Sequence, residues 1–397
     1  MGFLTSILII SAALLPQEEV SRDGNLRDRM VAAYTKAGDW LVSGQSKEGA
    51  WLQGPPGRQA PSVAYTALAV DSLSRAPSEL TERYGKAVRK GADYIFSRRN
   101  EDGSFGEGPT GAFLKTYATA VALMALHSAD QEKYADAIRG AQAYLKQNQL
   151  KEGEHKGGTG YGDDKPFSDE KTIANLSTTG FTAEALKASG LPQDDEFWKL
   201  VILFVRKCQN NSETNTDKEF LSKLKAEGLS VGNDGGLYYS ALADPKLHKA
   251  GTVKVIGRET IKSYGSMTYH GIKTYIYAGL GKDSPEVKSA IDWARKNYSV
   301  DAHPGFPHDK VKRSHLRGLY YYLLVMTRAL DVIGERPFRT FDGKEHDWPA
   351  EIAERFLSTM KNDTMWVNEN PDWWENDPLL VTSYVLKTLD TLFPYIK

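Results

Sequence analysis

Cysteine is nearly absent from this sequence, and neither charge of one sign nor long apolar runs are prominent. The 397 residues include one cysteine, Cys208, so no disulfide can form within the chain. Fifty Lys and Arg residues balance 51 Asp and Glu residues, and no basic block stands out. We therefore expect no nucleic-acid partner. Beyond the N-terminus, no apolar stretch is long enough to predict a transmembrane span.

The N-terminus begins with an apolar segment. Residues 3–15 carry no charged side chain, and they are too few to span a bilayer but suit the hydrophobic part of a secretory signal peptide. We predict a signal peptide over residues 1–20 and export to the periplasm or the extracellular space. No Lys or Arg precedes the segment, so an apolar arm docked on a cytoplasmic protein is the alternative.

One short pattern recurs along the chain. The stretch KAGDWLVSGQSKEGAW (36–51) combines an aromatic-aliphatic pair, a glutamine and a Gly-x-Trp. Recurrence at intervals of 50 to 89 residues is typical of stacked supersecondary units. It predicts one repeat domain over residues 25–397, with a polar insert around residues 210–235. The anchoring aromatic residues, expected to be buried, are Trp40, Tyr94, Tyr144, Phe204, Trp293 and Phe356.

Each repeat contains two helical patterns. Met30, Ala33, Ala37 and Leu41 form an apolar stripe at helical spacing, which is typical of a half-exposed outer helix. The next pattern, SVAYTALAVDSLSRA (62–76), is apolar nearly all round and predicts a buried inner helix. Six such pairs favour an all-α fold, a closed α/α toroid of about six helical hairpins, although an open solenoid has the same local pattern.

The first repeat carries a family resemblance. Trp40, Leu41, Gln45, Gly49 and Trp51 stand at the spacing of the repeat motif of squalene and oxidosqualene cyclases, and the motif resembles theirs. Those enzymes share an α/α toroid with the β subunits of protein prenyltransferases. The segments SYGSMTYHGIKTYIYAGL, GLYYYLLVMTRAL and WVNENPDWWENDPLLVTSYVL look more like bacterial exported toroid proteins with prenyltransferase/squalene-oxidase repeats.

The resemblance implies that the recurring motif is structural. The glutamine is expected to close an outer helix by hydrogen bonds to nearby backbone ends, because an amide offers both a donor and an acceptor. The tryptophan is expected to stack over the junction. Trp40 and Gln45 therefore say how the repeats are joined, not what the protein does.

The resemblance also shows which chemistry is missing. Squalene-type cyclisation begins with a strong carboxylic acid from an Asp-x-Asp-Asp-Thr-Ala motif, and the corresponding stretch, residues 175–180, holds no carboxylate. Prenyltransferases hold zinc with Asp, Cys and His. His270 resembles their histidine-bearing segment, but no cysteine accompanies it, and one histidine is not a zinc site. We predict neither cyclisation started by protonation nor a metal or other cofactor.

Two further groups of residues are candidates for metal-binding sites, but their sequence context favours loops instead. Asp163, Asp164 and Asp169 could bind Mg²⁺-diphosphate, but their Gly-rich context favours a solvated loop. His303, His308 and His315 lie in DAHPGFPHDKVKRSH, at spacings that do not suit a helical metal pair. We expect these three histidines on a surface loop.

The predicted inner helices carry many aromatic side chains with a few polar ones between them. Such a lining is how proteins build sites for apolar ligands, although tyrosine also packs in ordinary cores. Ser266, Tyr269 and His270 share one helix face, which we expect to point to the toroid axis. Residues 373–375 are expected to rim the mouth. The cavity candidates are Asn175, Thr178, Tyr264, Ser266, Tyr269, His270, Tyr320, Tyr321 and Tyr384.

Three classes of function follow from the sequence. The leading hypothesis is a toroid that binds, and in one version transforms, an isoprenoid or similar apolar molecule. The second is a scaffold without catalysis, and the third is an enzyme acting on polysaccharides, since toroids host many chemistries. An aromatic cavity favours the first, a filled core the second, and an open groove with clustered carboxylates and arginines the third.

Overall fold

The computed structural model describes residues 24–54, 57–106, 114–162, 173–255 and 257–397. The predicted signal peptide over residues 1–20 and the acidic group of Asp163, Asp164 and Asp169 lie outside these ranges. No helix among the described residues is both long and apolar enough to cross a membrane.

Helices of two kinds alternate along the chain. The outer helices are α1 (Leu26–Ser43), α3 (Thr81–Ser97), α5 (Ala135–Gln147), α7 (Glu196–Lys207), α10 (Pro285–Lys296) and α12 (Trp348–Thr359). The inner helices are α2 (Val63–Ser74), α4 (Lys115–Asp130), α6 (Leu176–Ala188), α9 (Gly265–Tyr277), α11 (Leu319–Ile333) and α13 (Pro378–Leu392). The inner helices are buried nearly all round, as predicted for SVAYTALAVDSLSRA.

The inner helices form a closed ring. Each packs on the next in chain order, and α13 packs back on α2. The fold is therefore an α/α toroid, which confirms the predicted fold class and excludes the open solenoid. Helix α10 begins with Ser284 as its N-cap and Pro285 as its first residue, a position where the missing proline N–H removes no helical hydrogen bond.

Small strands occupy the loops at the ends of the helices. β1 (Trp51–Gln53) pairs antiparallel with β2 (Ala60–Ser62), and β6 (Phe338–Arg339) pairs antiparallel with β7 (Glu345–His346). The polar insert holds a thirteenth described helix, α8 (Lys218–Ala226), and β3 (Leu229–Ser230). β3 pairs parallel with β5 (Arg258–Ile261), which pairs antiparallel with β4 (Thr252–Val255).

The recurring glutamines join neighbouring repeats. Gln45 Nε2 donates to the carbonyl of Gly49 and to that of Ala87, both at 3.0 Å. Ala87 lies in α3. The Gln45 amide therefore bonds to the next outer helix, in addition to the loop that follows its own helix α1. The same arrangement recurs twice: Gln149 donates to Gly157 and Phe197, and Gln209 donates to Gly235 and Glu286.

A glycine allows each of these close approaches. Gly49 has φ +102°, and a Cβ there would lie 2.5 Å from the carbonyl oxygen of Lys90 in α3. Only glycine suits both the left-handed conformation and the contact. The Gly-x-Trp part of the motif therefore exists because the loop must touch the backbone of the next outer helix.

A second recurring bond was not apparent in the sequence. A threonine near the start of an inner helix accepts a hydrogen bond from the backbone N–H of the loop before it, at 2.9 to 3.1 Å. The threonine side chain thus fixes the loop to the inner helix that follows. The five threonines are Thr66, Thr119, Thr179, Thr268 and Thr382.

Trp40 is not the buried anchor that the sequence suggests. Its side chain is only half-buried, whereas the Trp51 side chain is fully buried. The Trp51 indole N–H donates to the carbonyl of Leu41 in α1 at 2.8 Å. The other five anchoring aromatic residues of the repeats are buried as predicted.

Candidate ligand cavity

A cavity of about 480 Å³ lies between the first turns of the inner helices. Every inner helix contributes to its wall, which Phe181, Met267 and Leu380 make apolar in part. The wall is dominated by aromatic rings, because tyrosines also reach it from the loops after α5 and α8. The tyrosines that line it are Tyr65, Tyr117, Tyr161, Tyr239, Tyr264, Tyr321 and Tyr384.

Several of the phenol groups in the wall have protein partners. The hydroxyls of Tyr161 and Tyr239 are 2.7 Å apart. The hydroxyl of Tyr321 lies 2.7 Å from both Ser177 Oγ and His270 Nε2. A wall whose polar atoms are already hydrogen-bonded can face an apolar molecule at little cost.

Buried charges close the ring beyond the cavity. Asp71 and Lys387, both 2% exposed, form an ion pair of 2.5 Å between α2 and α13. Lys273 of α9 pairs with Glu184 of α6, and Arg328 of α11 lies 3.9 Å from the same carboxylate. All these residues stand in the second halves of their helices, so the charged layer lies beyond the cavity, on the side away from the helix N-termini.

The Asp71 carboxylate stays ionised in this layer. Burial acts to raise the pKa of Asp71, but the Lys387 ammonium and the Arg75 guanidinium outweigh it and hold the pKa well below its usual value. Ser128 of α4 donates a further hydrogen bond of 2.8 Å to Asp71 Oδ1. A buried carboxylate with this set of partners is stable as a charge.

Two tryptophans stand at the mouth, as the sequence predicts. Trp373 and Trp374 line the cavity, and Trp374 is 59% exposed. Both have φ +61°, a backbone region that bulky residues rarely adopt. The ring of Trp373 fits against Gly318, where any Cβ would collide with it. The loop is therefore held in a strained conformation that places two indoles at the entrance.

Glu375, in contrast, is fully buried and does not rim the mouth. Its carboxylate accepts hydrogen bonds from the N–H groups of Tyr320 and Tyr321 at 3.2 and 2.7 Å, and from the Asn368 amide at 2.5 Å. It thus caps the N-terminus of α11 from a distant part of the chain. Burial raises the pKa of Glu375 to about 7, although these hydrogen bonds act in the opposite direction.

We expect the buried carboxyl of Glu375 to make stability depend on pH. Its folded-state pKa of about 7 lies above the ordinary 4.5, so the folded state binds more protons between these values and stability falls as pH rises. The loss from pH 4.5 to above 7 should approach about 3 kcal/mol for this group. Urea denaturation at pH 5 and pH 8 measures this loss of stability in the unaltered protein and in Glu375→Gln, whose side chain cannot titrate. Parallel pH profiles of the two proteins would refute the assignment.

Of the predicted site residues, three line the cavity and one lies behind it. Tyr264, Tyr321 and Tyr384 are in the wall. His270 is fully buried behind Tyr321, with its ring centroid 5.6 Å from that of the tyrosine. Three of the predicted tyrosines thus share one aromatic wall, and their role in binding a ligand stays a prediction.

The remaining candidates point elsewhere. Asn175 is the N-cap of α6 and accepts a bond of 2.9 Å from Thr178 N–H, and both are buried off the cavity. Tyr320 stacks on Phe356 of α12 at 6.1 Å. None of these three residues lines the cavity.

The expected orientation of the α9 face is wrong for Ser266 and Tyr269. Met267 of α9 lines the cavity, and residues one or two positions away on a helix are turned by about 100° or 200°. Tyr269 instead packs against Tyr322 at 5.8 Å, and Ser266 is fully buried. Tyr264 precedes the first residue of α9, so helical spacing could not place it.

The histidine loop also differs from its prediction. His303 is fully buried, not on the surface. Its Nε2 accepts the Ser266 N–H at 2.9 Å and its Nδ1 donates to the Arg317 carbonyl at 2.7 Å, so it caps α9. Burial lowers the pKa of His303 to about 3, which keeps the ring neutral. His308 is exposed and stacks on the half-buried His315.

Other features of the described chain bear on chemistry. Cys208 is fully buried, and burial raises the pKa of its thiol. Within the described ranges, no three His, Cys, Asp or Glu side chains converge as a metal site. Asp372 is the carboxylate found in the described lining, and it pairs with Arg317 at 2.6 Å.

No protein-family model and no curated protein sequence matches the chain. Solved structures share its fold. The type II terpene cyclase MstE from Scytonema, in complex with its substrate geranylgeranyl dihydroxybenzoate, has 12% identity and a TM-score of 0.55, with 94% of this chain and 99% of that chain covered. An inactive variant of the α-1,6-mannanase GH76A of Salegentibacter, in complex with α-1,6-mannotriose, has 12% identity and a TM-score of 0.55, covering 92% and 99%. At these identities the likeness shows a common α/α toroid fold.

Proposed function

We propose that the protein binds an isoprenoid or similarly elongated apolar molecule in the cavity between its inner helices. The observation that carries the proposal is a cavity of about 480 Å³ with aromatic walls, several of whose hydroxyl groups are paired with each other. That volume is typical of small-molecule sites. The isoprenoid substrate of the terpene cyclase, which has the same fold, is consistent with the proposal.

The described lining supports binding more than cyclisation started by protonation. An alkene needs a strong acid, whereas the Asp372 carboxylate pairs with Arg317 at the mouth. Asn175, in the stretch that corresponds to the acid motif, caps a helix. Squalene incubated with the protein should therefore be recovered unchanged when the products are identified by mass spectrometry.

A polysaccharide is the second candidate ligand. The inactive mannanase variant carries replacements of two adjacent aspartates, and this chain has an adjacent pair, Asp163 and Asp164, two residues after the cavity residue Tyr161. Aromatic walls also stack on sugar rings. Against this candidate, polar groups of the described lining already have protein partners: Tyr161 with Tyr239, Tyr321 with Ser177, and Asp372 with Arg317.

Binding measurements separate these proposals. Geranylgeraniol and α-1,6-mannotriose would be titrated into the purified protein, with tryptophan fluorescence as the readout because Trp373 and Trp374 line the mouth. We expect binding of geranylgeraniol alone. Ala64→Phe places a ring in space that the ligand would occupy. It should weaken binding at least about tenfold, because the displaced part of the ligand loses its apolar burial.

The matched control places the same ring elsewhere. Leu247 is 47% exposed and is not a cavity residue, so Leu247→Phe should bind as the unaltered protein does. Binding of mannotriose alone would favour the polysaccharide candidate. Binding of neither probe would favour a scaffold.

We also propose that the protein is exported, on the basis of the apolar segment at residues 3–15. Expression of the full chain in a bacterial host, followed by fractionation and N-terminal sequencing, tests this. A protein that keeps residues 1–20 and stays in the cytoplasm would contradict it.

A further inference from the structure

Three side chains form a hydrogen-bonded row that ends at the cavity. His270 Nε2, the Tyr321 hydroxyl and Ser177 Oγ are joined by two contacts of 2.7 Å. Ser177 and Tyr321 line the cavity, while His270 lies behind them with no exposed surface. The positions of the three protons decide what this row offers to a ligand.

Neutral His270 has two tautomers. If it carries its proton on Nε2, it donates to Tyr321, one of the Tyr321 and Ser177 hydroxyls donates to the other, and one hydroxyl proton stays free to turn into the cavity, that of Ser177 when Tyr321 donates to it. If the proton is on Nδ1, both hydroxyls point toward the histidine, and the row offers the cavity no donor. Each arrangement follows from the single proton of each hydroxyl and of neutral imidazole.

The surroundings of His270 select the first arrangement. Its Nδ1 is buried and has no hydrogen-bond partner among the described residues. Gly180 of α6 lies directly against it, since a Cβ on Gly180 would collide with Nδ1. A buried N–H aimed at the Gly180 carbon would be an unpaired donor, which proteins rarely tolerate, whereas a bare ring nitrogen can accept a weak C–H contact.

The ring is also neutral. Burial and the nearby Lys273 ammonium lower the pKa of His270, while Glu184 acts in the opposite direction. The row therefore keeps one orientation across the physiological pH range.

We infer that the Ser177 hydroxyl donates a hydrogen bond to an acceptor oxygen of the bound molecule, so that the ligand is an apolar chain bearing a carbonyl group, such as a ketone or a quinone. The inference rests on the proposed function and narrows it. Ser177 lies in the first turn of α6, in the wall of the cavity. A carbonyl placed there would meet a donor whose proton is not already committed to the protein.

The first test measures the tautomer of His270. The ¹⁵N chemical shifts of the imidazole nitrogens distinguish protonation at Nε2 from protonation at Nδ1, and His270→Gln identifies the signal. We expect a neutral ring protonated at Nε2 between pH 7 and pH 9. Protonation at Nδ1 would overturn the inference, because the Ser177 proton would then point to Tyr321.

The second test compares two probes that differ in one group. Farnesylacetone carries a ketone, and the control probe is the hydrocarbon with a methylene group in place of the carbonyl. We expect the protein to bind the ketone roughly three- to tenfold more tightly, the range for one neutral hydrogen bond.

A pair of variants of equal shape isolates the hydroxyl. Ser177→Thr keeps the donor and Ser177→Val replaces it with a methyl group of the same size. The ketone preference should survive in the threonine variant and vanish in the valine variant. Equal preference in both would overturn the inference and leave apolar binding intact. Failure of both probes to bind would instead remove the proposed function on which the inference rests.

Discussion

Asp71→Asn should destabilise the protein by about 3–5 kcal/mol, as removal of one member of a buried ion pair does. The carboxylate holds Lys387 across the junction of α2 and α13, where the first and last inner helices meet. Neutralising it leaves the Lys387 ammonium buried at 2% exposure. The free energy of unfolding, from guanidinium denaturation followed by circular dichroism, measures the loss.

A double-mutant cycle shows whether the loss comes from this pair. Lys387→Met in the Asp71→Asn background removes the stranded charge and replaces it with an apolar chain of similar length. The double variant should recover a large part of the stability, because replacing a buried ion pair with apolar groups often changes the free energy of unfolding little. An Asp71→Asn variant within about 1 kcal/mol of the unaltered protein, with no coupling in the cycle, would show that the pair does not hold the ring closed.

Trp51→Ala should also cost about 3–5 kcal/mol, the range for a large aromatic residue removed from a core. The Trp51 side chain is fully buried, lies against Gly91 of α3 and hydrogen-bonds to Leu41 of α1. Its removal leaves a cavity between two outer helices, and the N–H bond to Leu41 is lost with it. Denaturant unfolding at fixed pH gives the difference in stability.

Trp40→Ala is the matched control for Trp51→Ala. Both are tryptophans of the same repeat, but the Trp40 ring is half-buried. The loss of stability should therefore be smaller than for Trp51→Ala, since the stabilisation scales with the apolar area removed from water. Equal losses for the two variants would contradict the assignment of Trp51 as the structural anchor.

The fold could be predicted from the sequence because its determinants are local and repeated. The spacing of apolar residues in 26–43 and in 63–74 follows the helix period, which is visible in the sequence itself. Closure of the ring could not be predicted from local spacing. It depends on contacts between α2 and α13, which lie at opposite ends of the chain.

The cavity was only partly predictable, for a physical reason. Tyrosines on inner helices predict an aromatic interior, but the sequence does not say which face of each helix meets the axis, and Tyr269 therefore points away from it. Tyr161 and Tyr239 come from loops, where no periodicity applies. Asp71 stands alone as a charge in an apolar helix, a signal of a buried partner that only the structure identifies as Lys387.

His303 shows a similar limit. Its loop contains Gly, Pro and charged residues, a composition that is typical of a solvated surface. The histidine is nevertheless buried, because the start of α9 needs an acceptor for the Ser266 N–H and the His303 ring supplies it. Helix ends take partners from anywhere in the fold, so local composition cannot reveal them.

A crystal structure of the protein with geranylgeraniol would show whether the cavity between the inner helices is the binding site. We expect electron density for the chain of the ligand between Tyr117, Phe181 and Tyr384, with the hydroxyl end near Ser177 or the mouth. We also expect the ion pair between Asp71 and Lys387, beyond the cavity, to stay intact in the complex. Density on an outer surface of the toroid, with the cavity filled by rearranged tyrosine side chains, would contradict binding in the cavity.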